Sequence, residues 1–360
     1  MEVLKEMPPR NPINGTFELT VRCNLKCKMC LFRHDDSENS EIMAKEKTAE
    51  DWIDMARQVA DAGTMNLLIT GGEPMLRPDF CEIYEGIYKQ GFIIELFTNA
   101  TLVSDKIMDT LRKYPPHKIG VTLYGASFET YKKVCGNGNA FNKAIKGIEL
   151  LNNLPSKLEF RTTIIKDNYR DIDHIENLIH DKFGEDKKLI ITKTVMKSVR
   201  GGNSQAELCR LNPKDNANLM LRRSMKIIKD TVGSQNFDME KVKFETKKIL
   251  NYHNNKRFTL FGCNAGISSY SITWNGKLVG CQLFDKFYSE PFDNSFIDAW
   301  NQYPIHVELP NMNSECINCK YRNRCSICHI SVYTETGKFG EIPNYICNCT
   351  KEVVKFFNEE

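Results

Sequence analysis

The chain has 360 residues, 41% of them hydrophobic, with 49 basic and 46 acidic side chains and a net charge of +3. That length holds either two domains or one long α/β barrel with an appendix, and the apolar content supports a full core. The near balance of charge excludes a polyanion-binding protein, so no nucleic-acid partner is expected; without a secretory h-region or an apolar run of about 18 residues, no membrane association is expected and a cytoplasmic protein is.

Residues 1–16 hold Pro8, Pro9, Pro12 and Gly15 and suggest an extended lead-in. Phe17 to Val21 suggest a first strand, and a loop with Cys23, Cys27 and Cys30 follows it. Arg33 to Glu46, with Asp35 and Asp36, has the composition of a solvated, mobile loop. Thr48 opens a helix as N-cap, with Glu50 and Asp51 in its first turn, apolar residues at helical spacing from Trp52 to Ala60, and Gly63 to end it. Strands are then expected at 65–69, 92–97, 118–123, 158–165 and 188–195, alternating with helices at 79–90, 104–113, 127–134, 139–153 and 172–183. Strand–helix alternation implies an α/β fold with a parallel sheet, here a partial (β/α)6 TIM-like barrel, whose chemistry belongs at the C-terminal ends of the strands. The cysteine loop leaves the first strand at that end. A polar, mostly helical bridge is expected over 201–261 and a cysteine-rich domain over 262–360, after a barrel at 17–200.

The 14 cysteines accompany no signal peptide, so metal rather than disulfides is expected. Three lie in the first loop, eight from Cys263 onward, and only Cys81, Cys135 and Cys209 between. Thiolates spaced C-x3-C-x2-C suit three irons of a four-iron, four-sulfur cluster and leave the fourth iron open; scattered core thiols or a zinc site are the alternatives. After the second strand the chain reads Thr70-Gly71-Gly72-Glu73-Pro74, where glycines let backbone approach a ligand closely and a carboxylate accepts from an ammonium group. Together the two motifs resemble those of the radical SAM superfamily. The resemblance implies a [4Fe-4S] cluster on Cys23, Cys27 and Cys30. Its open iron would chelate S-adenosyl-L-methionine and deliver the electron that releases a 5′-deoxyadenosyl radical. It implies that Gly71, Gly72, Glu73 and Pro74 bind the methionine amino group. Thr98, Asn99, Thr122, Tyr124 and Arg161 would hold the ribose and carboxylate, and Met29 would pack near the adenine.

Toward the C-terminus, Cys263, Gly276 and Cys281 are spaced C-x12-G-x4-C, and Asn275-Gly276 turns a hairpin within 269–279. Cys316, Cys319, Cys325 and Cys328 follow as C-x2-C-x5-C-x2-C, then Cys347 and Cys349. A zinc knuckle competes for this spacing. The pattern resembles the SPASM extension of radical SAM enzymes, departing from it by two residues instead of three before Cys328. It implies two auxiliary [4Fe-4S] clusters, three in all. The first would take Cys263, Cys281 and Cys328, with Cys349 or substrate completing it. The second would take Cys316, Cys319, Cys325 and Cys347. His306 and His329 are expected to be solvated or packed, and Cys81 to be a core residue. Cys135 and Cys209 are the candidate catalytic thiols, as hydrogen-atom donors.

The resemblance implies a radical enzyme that abstracts hydrogen from a peptide or protein, giving oxidation or a thioether or carbon crosslink in ribosomal peptide maturation. A dehydrogenase or epimerase acting on a small molecule such as an amino sugar is the alternative. An iron–sulfur carrier or zinc-bound interaction protein has no use for the glycine–glutamate motif. Only 22 residues precede Cys23, too few for a leader-binding domain, so a separate leader-binding protein is expected beside an external flavodoxin- or ferredoxin-type electron donor. Gln282 stands where sulfatase-maturating enzymes carry an Asp base, which counts against that activity.

Overall fold

The structure, a computed structural model, describes residues 9–192, 195–197, 200, 205–243, 263–303, 312–325 and 327–358. Apolar residues alternating along each strand build one sheet from β1 (Asn14–Glu18), β2 (Asn66–Thr70), β3 (Ile93–Thr98), β4 (Lys118–Thr122), β5 (Lys157–Thr162), β6 (Leu189–Ile191), β7 (Ser269–Ile272) and β8 (Leu278–Val279). Its order is β6-β5-β4-β3-β2-β1-β7-β8, with every neighbouring pair parallel except β7–β8. The six expected strands are present, and the sheet is open.

Two differences follow from packing. The first strand begins at Asn14, three residues before the expected Phe17, and Gly15 lies within it: a Cβ there would stand 2.6 Å from the Tyr270 hydroxyl and 3.0 Å from Leu67. The C-terminal hairpin turns as expected, with Gly276 at φ 89°, and β7 adds to the barrel sheet, Phe17 opposite both Ile69 and Ile272. Accordingly one unit comprises Met1–Val195, Val199–Cys209 and Asn264–Glu308, and a second comprises Met196–Ser198, Arg210–Cys263 and Leu309–Glu360.

In the first unit the helices are α1 (Asn39–Lys45), α2 (Ala49–Asp61), α3 (Phe80–Tyr88), α4 (Asp105–Lys113), α5 (Phe128–Cys135), α6 (Ala140–Leu151), α7 (Ile172–Phe183) and α8 (Ala206–Cys209). Thr48 and Asp51 form the capping box of α2. One sheet face, with Phe17, Ile69, Leu96, Val121 and Phe160, is buried; Phe17 meets Trp52 of α2 at 5.0 Å and Phe160 meets Phe183 of α7 at 5.1 Å. The other face is half-buried and polar. There Lys118 pairs with Glu95 at 2.8 Å, and Arg161 pairs with Glu159 at 2.8 Å while lying 4.3 Å over the Phe97 ring.

The stretch from Arg33 to Glu46, expected as a loop, contains a 3-10 turn at Asp36–Glu38 and then α1, because Ile42 is an apolar anchor and Glu46 is drawn into a buried ion pair. In the second unit, α9 (Pro213–Val232) is capped by Asn212 and packs against the C-terminal helix Asn344–Asn358; the rest of the expected bridge, 244–261, lies outside the described residues. Cys316, Ile327 and Val332 centre a small core there. No helix among the described residues is long and apolar enough to cross a membrane.

Candidate active site

The cysteine loop grows out of β1 on a stem that pairs with the glycine turn. Leu19 N donates to Thr70 O (2.9 Å), Gly72 N to Thr20 O (2.7 Å) and Glu73 N to Arg22 O (2.9 Å). A Cβ on Gly71 would lie 2.2 Å from Thr20 O, and one on Gly72 would lie 2.3 Å from Arg22 O. The two glycines therefore let the turn touch the stem of the cysteine loop, a contact that in the sequence looks the same as approach to a ligand.

Charges missed by sequence reasoning hold this stem. Arg22 donates twice to Glu46 (2.9 and 2.8 Å), whose side chain is 7% exposed, and the Thr20 hydroxyl donates to the same carboxylate. Arg77 lies 3.7 Å from Glu46 and donates to Leu19 O (2.9 Å), Lys47 O (3.0 Å) and Asp79 (2.9 and 2.6 Å). Burying so many charges is tolerable because each finds a partner. The acidic residue ending a polar stretch was the only signal.

Cys23, Cys27 and Cys30 share one electrostatic environment. Backbone N–H groups of Leu25 and Phe32 point at the sulfurs of Cys23 and Cys30 (3.4 Å each), and Asn99 Nδ2 at Cys23 (3.8 Å). Lys26 N and Lys28 N donate to the carbonyls of Cys135 (3.0 Å) and Val134 (3.1 Å), pinning the loop to the end of α5. The Cys135 thiol, then burial, pushes the Cys27 thiol up, while the Tyr124 hydroxyl pulls it down. Burial, then the neighbours Cys27, Glu73 and Cys30, does the same to Cys23; burial and Cys27 push Cys30 up to about 12. One zinc ion needs thiolates about 2.3 Å from a common centre, whereas a four-iron cluster binds each thiolate at a different metal atom. Three thiols on one loop, with N–H donors aimed at the sulfurs, fit the cluster with an open iron.

Glu73 is completely buried. Its oxygens accept from the Thr98 hydroxyl (2.8 Å), Met75 N (3.1 Å) and Asn99 N (2.7 Å). Burial raises its carboxyl to about 7 against those three donors. A carboxylate has about four acceptor positions, so one remains for an ammonium group. Pro74 begins the following 3-10 turn. Asn99 also donates to Asn24 (2.9 Å), tying the end of β3 to the cysteine loop. Thr122 and Arg161 are register partners on β4 and β5, and Met29 is buried within the loop. Of the two candidate catalytic thiols, Cys135 is 1% exposed and stands against Cys27; Cys209, ending α8, is 5% exposed, donates to Ala206 O (3.6 Å) and is raised by burial, then Asp167, to about 11. Cys81 is partly buried and donates to Lys106 O (3.9 Å). It lines a depression of about 460 Å³ on α3 and α4 that includes no residue of the cysteine loop or glycine turn.

In the second unit, burial followed by Cys325 and Cys319 raises the Cys316 thiol, and burial followed by Cys325, Cys316 and Cys319 raises Cys347. The four cysteines that the resemblance assigns to one cluster thus lie within electrostatic reach of one another. Two others face elsewhere. Cys328 caps the helix His329–Thr336 by accepting from Ser331 N (3.4 Å), and Cys349 is buried, accepting from Asn216 (3.4 Å). Cys281 belongs to the first unit; Cys263 and Cys328 belong to the second. His329 is buried at the start of its helix, and His306 lies outside the described residues.

Residues 17–179 match the family described as Radical SAM superfamily. Over its greater part the chain is similar to an AdoMet-dependent heme synthase of Methanosarcina barkeri (25% identical, 91% of this chain and 94% of that one). It is also similar to the antilisterial bacteriocin subtilosin biosynthesis protein AlbA of Bacillus subtilis (24% identical, 89% of this chain and 67% of that one). Among solved structures, Streptococcus suis SuiB bound to precursor peptide SuiA shares the fold with a TM-score of 0.66 at 18% identity, over 92% of this chain and 75% of that one. The match falls on the cysteine loop, the glycine turn and most strands of the open parallel sheet, so residues 17–179 carry a radical SAM domain.

Proposed function

We propose that the chain modifies a peptide by radical chemistry, abstracting hydrogen from a side chain or backbone carbon and leaving an oxidation or crosslink. The observation that carries this reading is the reach of the similarity to AlbA: it covers 89% of this chain and so extends well beyond the radical SAM match. A cluster on Cys23, Cys27 and Cys30 together with S-adenosylmethionine would supply the 5′-deoxyadenosyl radical. The chain's own residues do the rest. Glu73 offers its remaining acceptor position to the methionine amino group, and the stem built on Glu46 fixes the loop against the glycine turn. Thr122 and Arg161, at the ends of β4 and β5, offer polar groups to the ribose and carboxylate. We assign a second cluster to Cys316, Cys319, Cys325 and Cys347, and the resemblance to the SPASM extension implies a third.

A second reading, a tetrapyrrole substrate, is favoured by the 94% coverage of the heme synthase relative. Anaerobic incubation with reductant, S-adenosylmethionine and either a panel of short synthetic peptides or an iron porphyrin separates the two. The first reading predicts 5′-deoxyadenosine and a peptide mass loss of a few hydrogens. Formation of heme from the porphyrin with every peptide unchanged would overturn it.

A further inference from the structure

Glu18, the last residue of β1, is fully buried, and its Oε2 accepts from Arg200 Nη2 at 2.5 Å. The Arg200 side chain is 7% exposed and its guanidinium lies 4.8 Å over the ring of Phe32, two residues beyond Cys30. Glu18 Oε1 and Arg200 Nε and Nη1 are buried and find no hydrogen-bond partner among the described residues. Unpaired polar atoms at full burial are rare, because each costs about 1–3 kcal/mol, and three in one ion pair require a reason. The Gln282 side chain and the charge of Asp285 also act on the Glu18 carboxyl. The pair therefore stands between the loop of Cys23, Cys27 and Cys30 and the residue following Cys281, at the end of the barrel where chemistry is done.

The unused atoms define what would satisfy them. Two N–H donors face an acceptor, and one carboxylate oxygen faces a donor. A carboxylate ligand fits poorly: Glu18 already neutralises Arg200, and Asp285 adds further negative charge. An ammonium group would satisfy Glu18 and leave both Arg200 donors unpaired. An extended peptide meets both members of the pair, because the C=O and N–H of one residue face the same side: the carbonyl oxygen accepts from an edge of the Arg200 guanidinium and the N–H donates to Glu18. We propose that Glu18 and Arg200, with Gln282 against them, are a substrate clamp that grips the backbone N–H and C=O of one residue of an extended peptide beside the radical-generating loop. The clamp rests on the peptide reading proposed above and sharpens it by naming the group recognised. Sequence reasoning missed it because Glu18 occupies a polar place in an alternating strand and Arg200 lies 182 positions away.

The test leaves the protein's fold out of the comparison by changing the ligand as well. The reconstituted holoenzyme is titrated with a short synthetic peptide from the panel above and with analogues in which each backbone N–H in turn is replaced by an ester oxygen. At one position the ester should weaken binding about tenfold in the wild type but less than twofold in Glu18→Gln, whose bond to that N–H is already lost. Arg200→Lys, which keeps the charge and loses the fork, should weaken the unmodified peptide by a similar factor. If no ester position distinguishes wild type from Glu18→Gln while the wild type still modifies the peptide, the clamp is wrong and the peptide reading stands. If the wild type neither binds nor modifies peptide, both fall.

Discussion

At the scale of single residues, the site depends on side chains placed where ordinary chemistry would not leave them. Gly71 and Gly72 touch the carbonyls of Thr20 and Arg22, so Gly71→Ala or Gly72→Ala forces the turn off the stem. Each substitution should cost about 2–4 kcal/mol in urea unfolding and lower iron retention on the cysteine loop. Glu73 supplies a pH signature. Its folded carboxyl, near 7, is raised above the ordinary value of 4.5, so the folded chain holds a proton there that the unfolded chain releases. That contribution is fully present below about 4.5 and is lost as pH rises through about 7, roughly 3 kcal/mol in all. The cluster-free chain should therefore melt at lower temperature as pH rises across this window, and Glu73→Gln should flatten the slope; an unchanged slope in that variant would remove Glu73 as its source. The cysteine spacing and the Gly-Gly-Glu run were legible in the sequence because covalent adjacency fixes them. The contact of Cys135 with Cys27 was not, since 108 positions separate residues that only the fold brings together.

At the scale of elements, helix caps and apolar periodicity carried most of the information. The Thr48 cap and the Asn275-Gly276 hairpin are local, and both were legible in the sequence. The stretch from Arg33 to Glu46 misled because its composition is that of a loop, and nothing local reveals that Glu46 meets Arg22 and Arg77. Glu46→Ala leaves two largely buried guanidinium groups short of a partner and should destabilise by about 3–5 kcal/mol. Thr48→Ala, two residues on, should cost only about 1 kcal/mol. Equal losses by denaturant unfolding would contradict the buried network as the element's anchor.

At the scale of the whole molecule, six βα units specified a parallel sheet, and the sheet is there. The placement of β7 against β1 was not legible, since a short hairpin from residues near the cysteine-rich end carries no local sign of its partner strand. The C-terminal field divides as well. Cys316, Cys319, Cys325 and Cys347 lie within electrostatic reach of one another, whereas Cys349 faces Asn216. Replacing Cys316 or Cys347 by Ser should remove about four irons, and Cys349→Ser should remove none. The central claim is that these cysteines hold iron–sulfur clusters that serve a radical enzyme. Iron, acid-labile sulfide and zinc per chain, counted after anaerobic reconstitution, test it most directly. Three clusters predict about 12 irons, matching sulfide and negligible zinc. About four irons with one or two zincs would contradict it, leaving radical chemistry on the first loop and a purely structural C-terminal field.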